Sequence, residues 1–98
     1  MSDPVYLFVQ LQTDMMNEKV VEQTLALLRK NSYQENGCLH YEYSKDLATS
    51  TFFLLETWTD ESCLSSHEQA DHFLESTAIL NKLCSSIQLF RLKQALVT

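Results

Sequence analysis

Glycine and proline are nearly absent from this chain, with one of each among 98 residues. That scarcity excludes glycine-rich phosphate turns, linkers and low-complexity tracts, and it implies one compact domain over residues 1–98. Basic residues are also few. Seven Lys and Arg, scattered from Lys19 to Lys93, stand against thirteen Asp and Glu for a net charge of −6. With no clustered cations, neither nucleic acid nor an anionic membrane surface is an expected partner. Cys38, Cys63 and Cys84 form no CxxC pair, and an odd count closes no disulfide framework, so reduced thiols in a cytoplasmic protein are expected. The apolar run from Val5 to Leu11 is too short for a membrane span and lacks the basic flank of a signal peptide.

What is present alternates. Val5 to Gln12 reads as a strand with Val5, Leu7, Val9 and Leu11 on one face and Tyr6, Phe8, Gln10 and Gln12 on the other. Thr13 or Asp14 opens a helix from about Met16 to about Asn31, with Met16, Val20, Val21, Thr24, Leu25, Leu27 and Leu28 as its apolar stripe. The lone glycine, Gly37, follows a polar stretch, where it supplies positive φ before a strand. Cys38–Ser44 and Thr51–Trp58 form a hairpin, and Asp60 caps a short helix that carries Cys63, Leu64 and His67. A second helix begins near Asp71, with Phe73, Thr77, Leu80 and Cys84 on one face, and Ile87–Leu96 reads as a last strand. The order β-α-β-β-α-β predicts an α+β, ferredoxin-like unit with an antiparallel sheet and helices on one face.

Such a sheet leaves its other face open, and here that face is apolar too, through residues such as Tyr6, Phe8, Phe53 and Leu55. A homodimer is therefore expected, with the last strand reaching to the partner and a Leu55→Asp or Val9→Asp change yielding aggregated or unfolded protein.

Gly37-Cys38-Leu39-His40-Tyr41-Glu42, Phe53-Leu54-Leu55-Glu56-Thr57-Trp58, Cys63-Leu64-Ser65-Ser66-His67 and His72-Phe73 together resemble the antibiotic biosynthesis monooxygenase family. The resemblance implies a dimeric α/β barrel with a pocket between sheet and helices. The family's activities range over cofactor-free oxygenases of phenols and quinols, haem-degrading enzymes, a quorum-signal isomerase and proteins without known activity. The family's axial haem histidine corresponds to Thr77, a poor ligand, so the resemblance does not extend to haem binding.

Glu56 and Trp58 share parity with Phe52 and Leu54, which places all four on the face that meets the helices. Trp58 is a candidate to hold an aromatic ring and His67 the first candidate base, with His72 second and His40 weakest, because imidazole moves protons near neutral pH. Tyr41, Glu56, Phe73 and Phe52 are candidate substrate contacts, with the phenol of Tyr41 or His72 bonding a substrate oxygen. No ligand spacing points to a metal, and the expected cofactor set is empty: no flavin, haem or metal. The function that follows is cofactor-independent monooxygenation of an electron-rich phenol or quinol. The alternatives are an isomerase or degrading enzyme for a small keto-sugar-like signal molecule and a non-catalytic, stress-linked dimer of the same fold.

Overall fold

The computed structural model describes residues 3–93. Strand β1 (Val5–Gln12) leads through a single 3₁₀ turn (Met15–Asn17) into helix α1 (Glu18–Ser32). Strands β2 (Cys38–Lys45) and β3 (Thr51–Trp58) form the hairpin, and helices α2 (Glu61–Gln69) and α3 (Asp71–Leu83) precede strand β4 (Ser86–Leu92). The sheet is antiparallel in the order β2-β3-β1-β4, the arrangement of a ferredoxin-like α+β unit. The part of the expected last strand that reaches Leu96 lies outside the described residues.

Strand parity sets the two faces. Val5, Leu7, Val9 and Leu11 point to the helices, as do Phe52, Leu54, Glu56 and Trp58 across the ladder, and all are buried. Val9 is therefore a core residue, and of the two positions named for a disruptive charge only Leu55 lies on the outer face. A bulge between Cys38 and His40 leaves Leu39 unpaired and exposed, so it does not share a face with the buried Tyr41. On the outer face Phe8 stacks on Phe53 of β3 at 5.7 Å and meets Phe90 of β4 at 6.0 Å between ring centroids.

Asp14 accepts from the Asn17 amide, and the chain tightens there before α1 begins. This late start rotates the stripe: Val21, Thr24, Leu25, Leu28 and Ser32 are buried, while Met16, Val20 and Leu27 face outward. At the far end of α1, Gly37 adopts φ 85°, and its carbonyl accepts from both the amide (2.9 Å) and the hydroxyl (2.9 Å) of Thr59. A β-carbon at this position would overlap Cys63 Sγ and Thr59 Oγ1. Glycine is required by conformation and by space, and the contact ties the α1–β2 loop to the corner between β3 and α2.

Asp60 caps α2 by accepting from the Cys63 amide at 2.9 Å. Ala70, in extended backbone, ends α2 and redirects the chain into α3. That one-residue break sets the last turn of α2, with His67, beside the first turn of α3, with His72.

Candidate functional site

His67 is the centre of the buried polar groups. Its ring is 1% exposed, and it is enclosed by Trp58 at 4.4 Å, Phe73 at 4.9 Å, Tyr41 at 5.7 Å and His72 at 5.7 Å between centroids. Nδ1 lies 2.6 Å from Glu35 Oε1. A carboxylate only accepts, so the shared proton belongs on Nδ1, and Nε2 keeps its lone pair. Nε2 is buried and has no hydrogen-bond partner. Burial pushes the His67 imidazole below its usual range, and the bond to Glu35 opposes that shift without cancelling it. The ring is thus neutral near pH 7, as a base must be.

Glu35 comes from the loop that Gly37 pins in place, 32 residues from His67 in sequence. The sequence pattern does not single it out, because it lies in a polar stretch that reads as an ordinary loop. The only signal there was an acidic residue two positions before the sole glycine.

The apolar face of the sheet and helices α2 and α3 enclose a cavity of about 310 Å³, reaching Ile87 and Leu89 of β4 at one side. Its polar lining is Tyr41, Glu56, His67, Glu68, Thr77 and Asn81. Phe73 is also on its wall. Burial drives the Glu56 carboxyl up to about 7, although Trp58 Nε1 donates to its Oε1 at 3.0 Å and favours the charged form. Desolvation likewise holds the Tyr41 phenol well above its usual value, which makes it a neutral donor. The Thr77 hydroxyl donates to the Phe73 carbonyl at 2.8 Å, and this side chain offers no axial ligand to a haem.

The structure therefore brings together His67, Tyr41, Glu56 and Phe73 at one cavity. Trp58 and Phe52 are almost fully buried and do not line it. Trp58 supports the site from behind, packing on His67 and bonding Glu56, so it is not placed to hold a substrate ring as its residue type suggested. His72 adjoins His67 but is not on the cavity wall, and His40 is exposed on strand β2. Glu68 and Asn81 are lining residues that helix periodicity alone did not separate from solvated ones.

The family model described as Antibiotic biosynthesis monooxygenase matches residues 4–78. The chain belongs to this family. Its fold is shared with PA3566 from Pseudomonas aeruginosa at TM-score 0.88 and 27% identity, covering 98% of each chain. A conserved protein of Bacteroides thetaiotaomicron, described as a possible oxidoreductase, superimposes at TM-score 0.85 with 22% identity over 94% of this chain and 100% of that one. A protein described as an antibiotic biosynthesis monooxygenase gives TM-score 0.86 at 19% identity over 93% and 98% of the two chains. The last two are similar in fold alone. No curated protein matches the chain. Among the described residues no helix is long and apolar enough to cross a membrane.

Proposed function

We propose that this family member is a cofactor-independent monooxygenase that acts on an electron-rich phenol or quinol. The observation that carries the reading is the Glu35–His67 pair at the wall of an apolar cavity: a neutral imidazole, oriented by a carboxylate, with its second nitrogen unengaged. Protein side chains do not readily activate dioxygen, so the substrate's own anion must supply the electrons, and the protein's tasks are to deprotonate, orient and desolvate it. His67 Nε2 takes the phenolic proton. Glu35 stabilises the imidazolium that results, as the acidic member of a catalytic triad does. One oxygen atom of dioxygen then enters the ring carbon as a carbonyl, and the other leaves as water with two hydrogens from the substrate. Because Nε2 is itself covered, substrate entry requires a neighbouring side chain to move.

A second reading rests on Glu56. A carboxyl raised to about 7 on the same cavity supplies an acid to complement the His67 base, the pairing that moves a proton beside a carbonyl in an isomerase. The working unit is proposed to be a homodimer formed through the outer sheet face, where Phe8, Phe53, Phe90 and Leu55 make an apolar surface. Turnover of a phenol and quinol panel with and without oxygen tests the proposal. Oxygen consumption stoichiometric with product supports it, conversion under argon supports the isomerase, and an inert protein that binds none of the panel removes both.

A further inference from the structure

The base reading leaves one neighbour unused. His72 Nε2 is 3.3 Å from the same Glu35 oxygen that His67 Nδ1 reaches at 2.6 Å. One donor atom from each of Glu35, His67 and His72 falls within 4.8 Å of the other two. Both nitrogens of His72 are buried and neither makes a hydrogen bond, so Nε2 approaches the carboxylate without the alignment that a hydrogen bond needs. A half-buried ring whose two nitrogens are both covered and unsatisfied, one of them close to a carboxylate already shared by a second imidazole, is poorly explained by packing alone. Sequence spacing gave no metal motif because the three residues come from a loop and two helices.

We propose that Glu35, His67 and His72 form a site for a divalent transition-metal ion, with Zn²⁺ the best fit, and that filling it shifts the His67 proton from Nδ1 to Nε2. Two imidazoles and a carboxylate form a donor set that zinc takes, with water completing the shell. Bonds of ~2.0–2.1 Å around a tetrahedral ion set the ligand atoms roughly 3.3 Å apart. The His72–Glu35 pair already has that spacing, and the His67–Glu35 pair opens by less than ~1 Å to reach it. A separate hollow of about 290 Å³, lined by Glu35, Asn36, Ser62, Cys63, Ser66 and His67, gives the ion a route from solvent that does not pass through the substrate cavity. A neutral imidazole carries one proton, so a metal on Nδ1 requires that proton on Nε2. The consequence rests on the base role proposed above: with the ion bound, His67 presents a donor where the substrate needs an acceptor, and the metal acts as an inhibitor.

The test is calorimetric titration of the purified full chain with ZnCl₂, run in parallel on His72→Ala, Glu35→Gln and Cys63→Ser, with thermal melts to confirm that each variant folds. The expected result is one Zn²⁺ per chain, weakened at least tenfold in His72→Ala and in Glu35→Gln and unchanged in Cys63→Ser. Long-range ¹H–¹⁵N spectra of the imidazoles should show the His67 proton on Nδ1 without zinc and on Nε2 with it. Absence of stoichiometric binding, binding that survives in both ligand variants, or binding abolished by Cys63→Ser overturns the site. Bound zinc with the His67 proton still on Nδ1 overturns the switch. Zinc binding with the tautomer change in a protein that turns over no substrate supports the site and removes the base role, whereas turnover without zinc binding removes the site alone.

Discussion

Replacing Glu56 by glutamine should make the protein more stable at alkaline pH and leave it little changed at acid pH. The carboxyl is 6% exposed and its pKa is raised from 4.5 to about 7, chiefly by burial, with the negative charges of Glu68 and Glu35 adding to the shift. The folded state therefore holds a proton that the unfolded chain releases. Its contribution to stability is complete below the unfolded pKa of 4.5 and is lost as pH rises through about 7. A shift of about 2.5 units at ~1.36 kcal/mol each amounts to roughly 3 kcal/mol between acid and alkaline limits. Glutamine has nearly the same shape, keeps an oxygen for the Trp58 indole N–H and cannot ionise. The perturbed His67 has the opposite sign, since a lowered pKa means stability lost as pH falls through the usual histidine range, but that effect is common to both proteins and cancels in the difference. Urea unfolding followed by far-UV circular dichroism at pH 4.5 and pH 8.5 gives the two free energies directly. The variant's advantage should grow by roughly 3 kcal/mol across that interval, or on the order of 10–20 °C in Tm for a domain of this size. A difference between variant and parent that is the same at both pH values would show that Glu56 does not hold a proton in the folded protein, and the acid role would fall with it.

Other outcomes follow from the same geometry. His67→Gln and Glu35→Gln should each lower turnover by roughly 10²–10⁴-fold, and the parent's rate should fall on the acid side below the ordinary histidine range; an acid limb with an apparent pKa above 6.5 would contradict His67 as the base. His67→Ala is the poorer variant, because the burial of His67 makes truncation cost about 2–4 kcal/mol. Trp58→Phe should cost about 1–3 kcal/mol through the lost Glu56 bond and the space left behind, with KM for substrate little changed, since the indole is off the cavity wall. Gly37→Ala should destabilise by about 1–3 kcal/mol and reduce activity along with it, by moving Glu35 away from His67. Leu55→Asp should give folded monomers by light scattering and Val9→Asp unfolded protein; a Leu55→Asp dimer as tight as the parent's would exclude the outer face as the interface.

The sheet was legible because strand parity is a local signal: once Val5 and Trp58 were assigned to inner positions, every other inner residue of β1 and β3 followed by counting twos. The start of α1 was not, because Met15 and Met16 look like core residues and only the Asp14 cap, a matter of backbone geometry, places them outside. In the site, His67 announced itself by residue type and by its place on a capped helix. Glu35 did not, since its meaning comes from a contact across 32 residues that depends on Gly37 turning the chain against Thr59. Trp58 shows the converse limit. Its parity tells which side of the sheet the ring lies on and nothing of its depth, and this ring is buried behind His67, off the cavity wall.

Strand β4 is held on one side only, by β1, and no helix in the described structure covers it fully, so most of its residues are exposed. Its alternate residues serve different surroundings: Ile87 and Leu89, opposite Leu11 and Val9, close the side of the cavity, while Phe90, opposite Phe8, continues the outer aromatic row. A slip of one residue against β1 would exchange these sets, turning Phe90 into the cavity and Leu89 out of it. The volume available to a substrate is therefore a matter of register as well as of side-chain size. Whatever grips the outer row of β4 also fixes the width of the chamber on its inner side, so a change made wholly on the outside, such as Phe90→Ala, can be read as a change in which substrates fit.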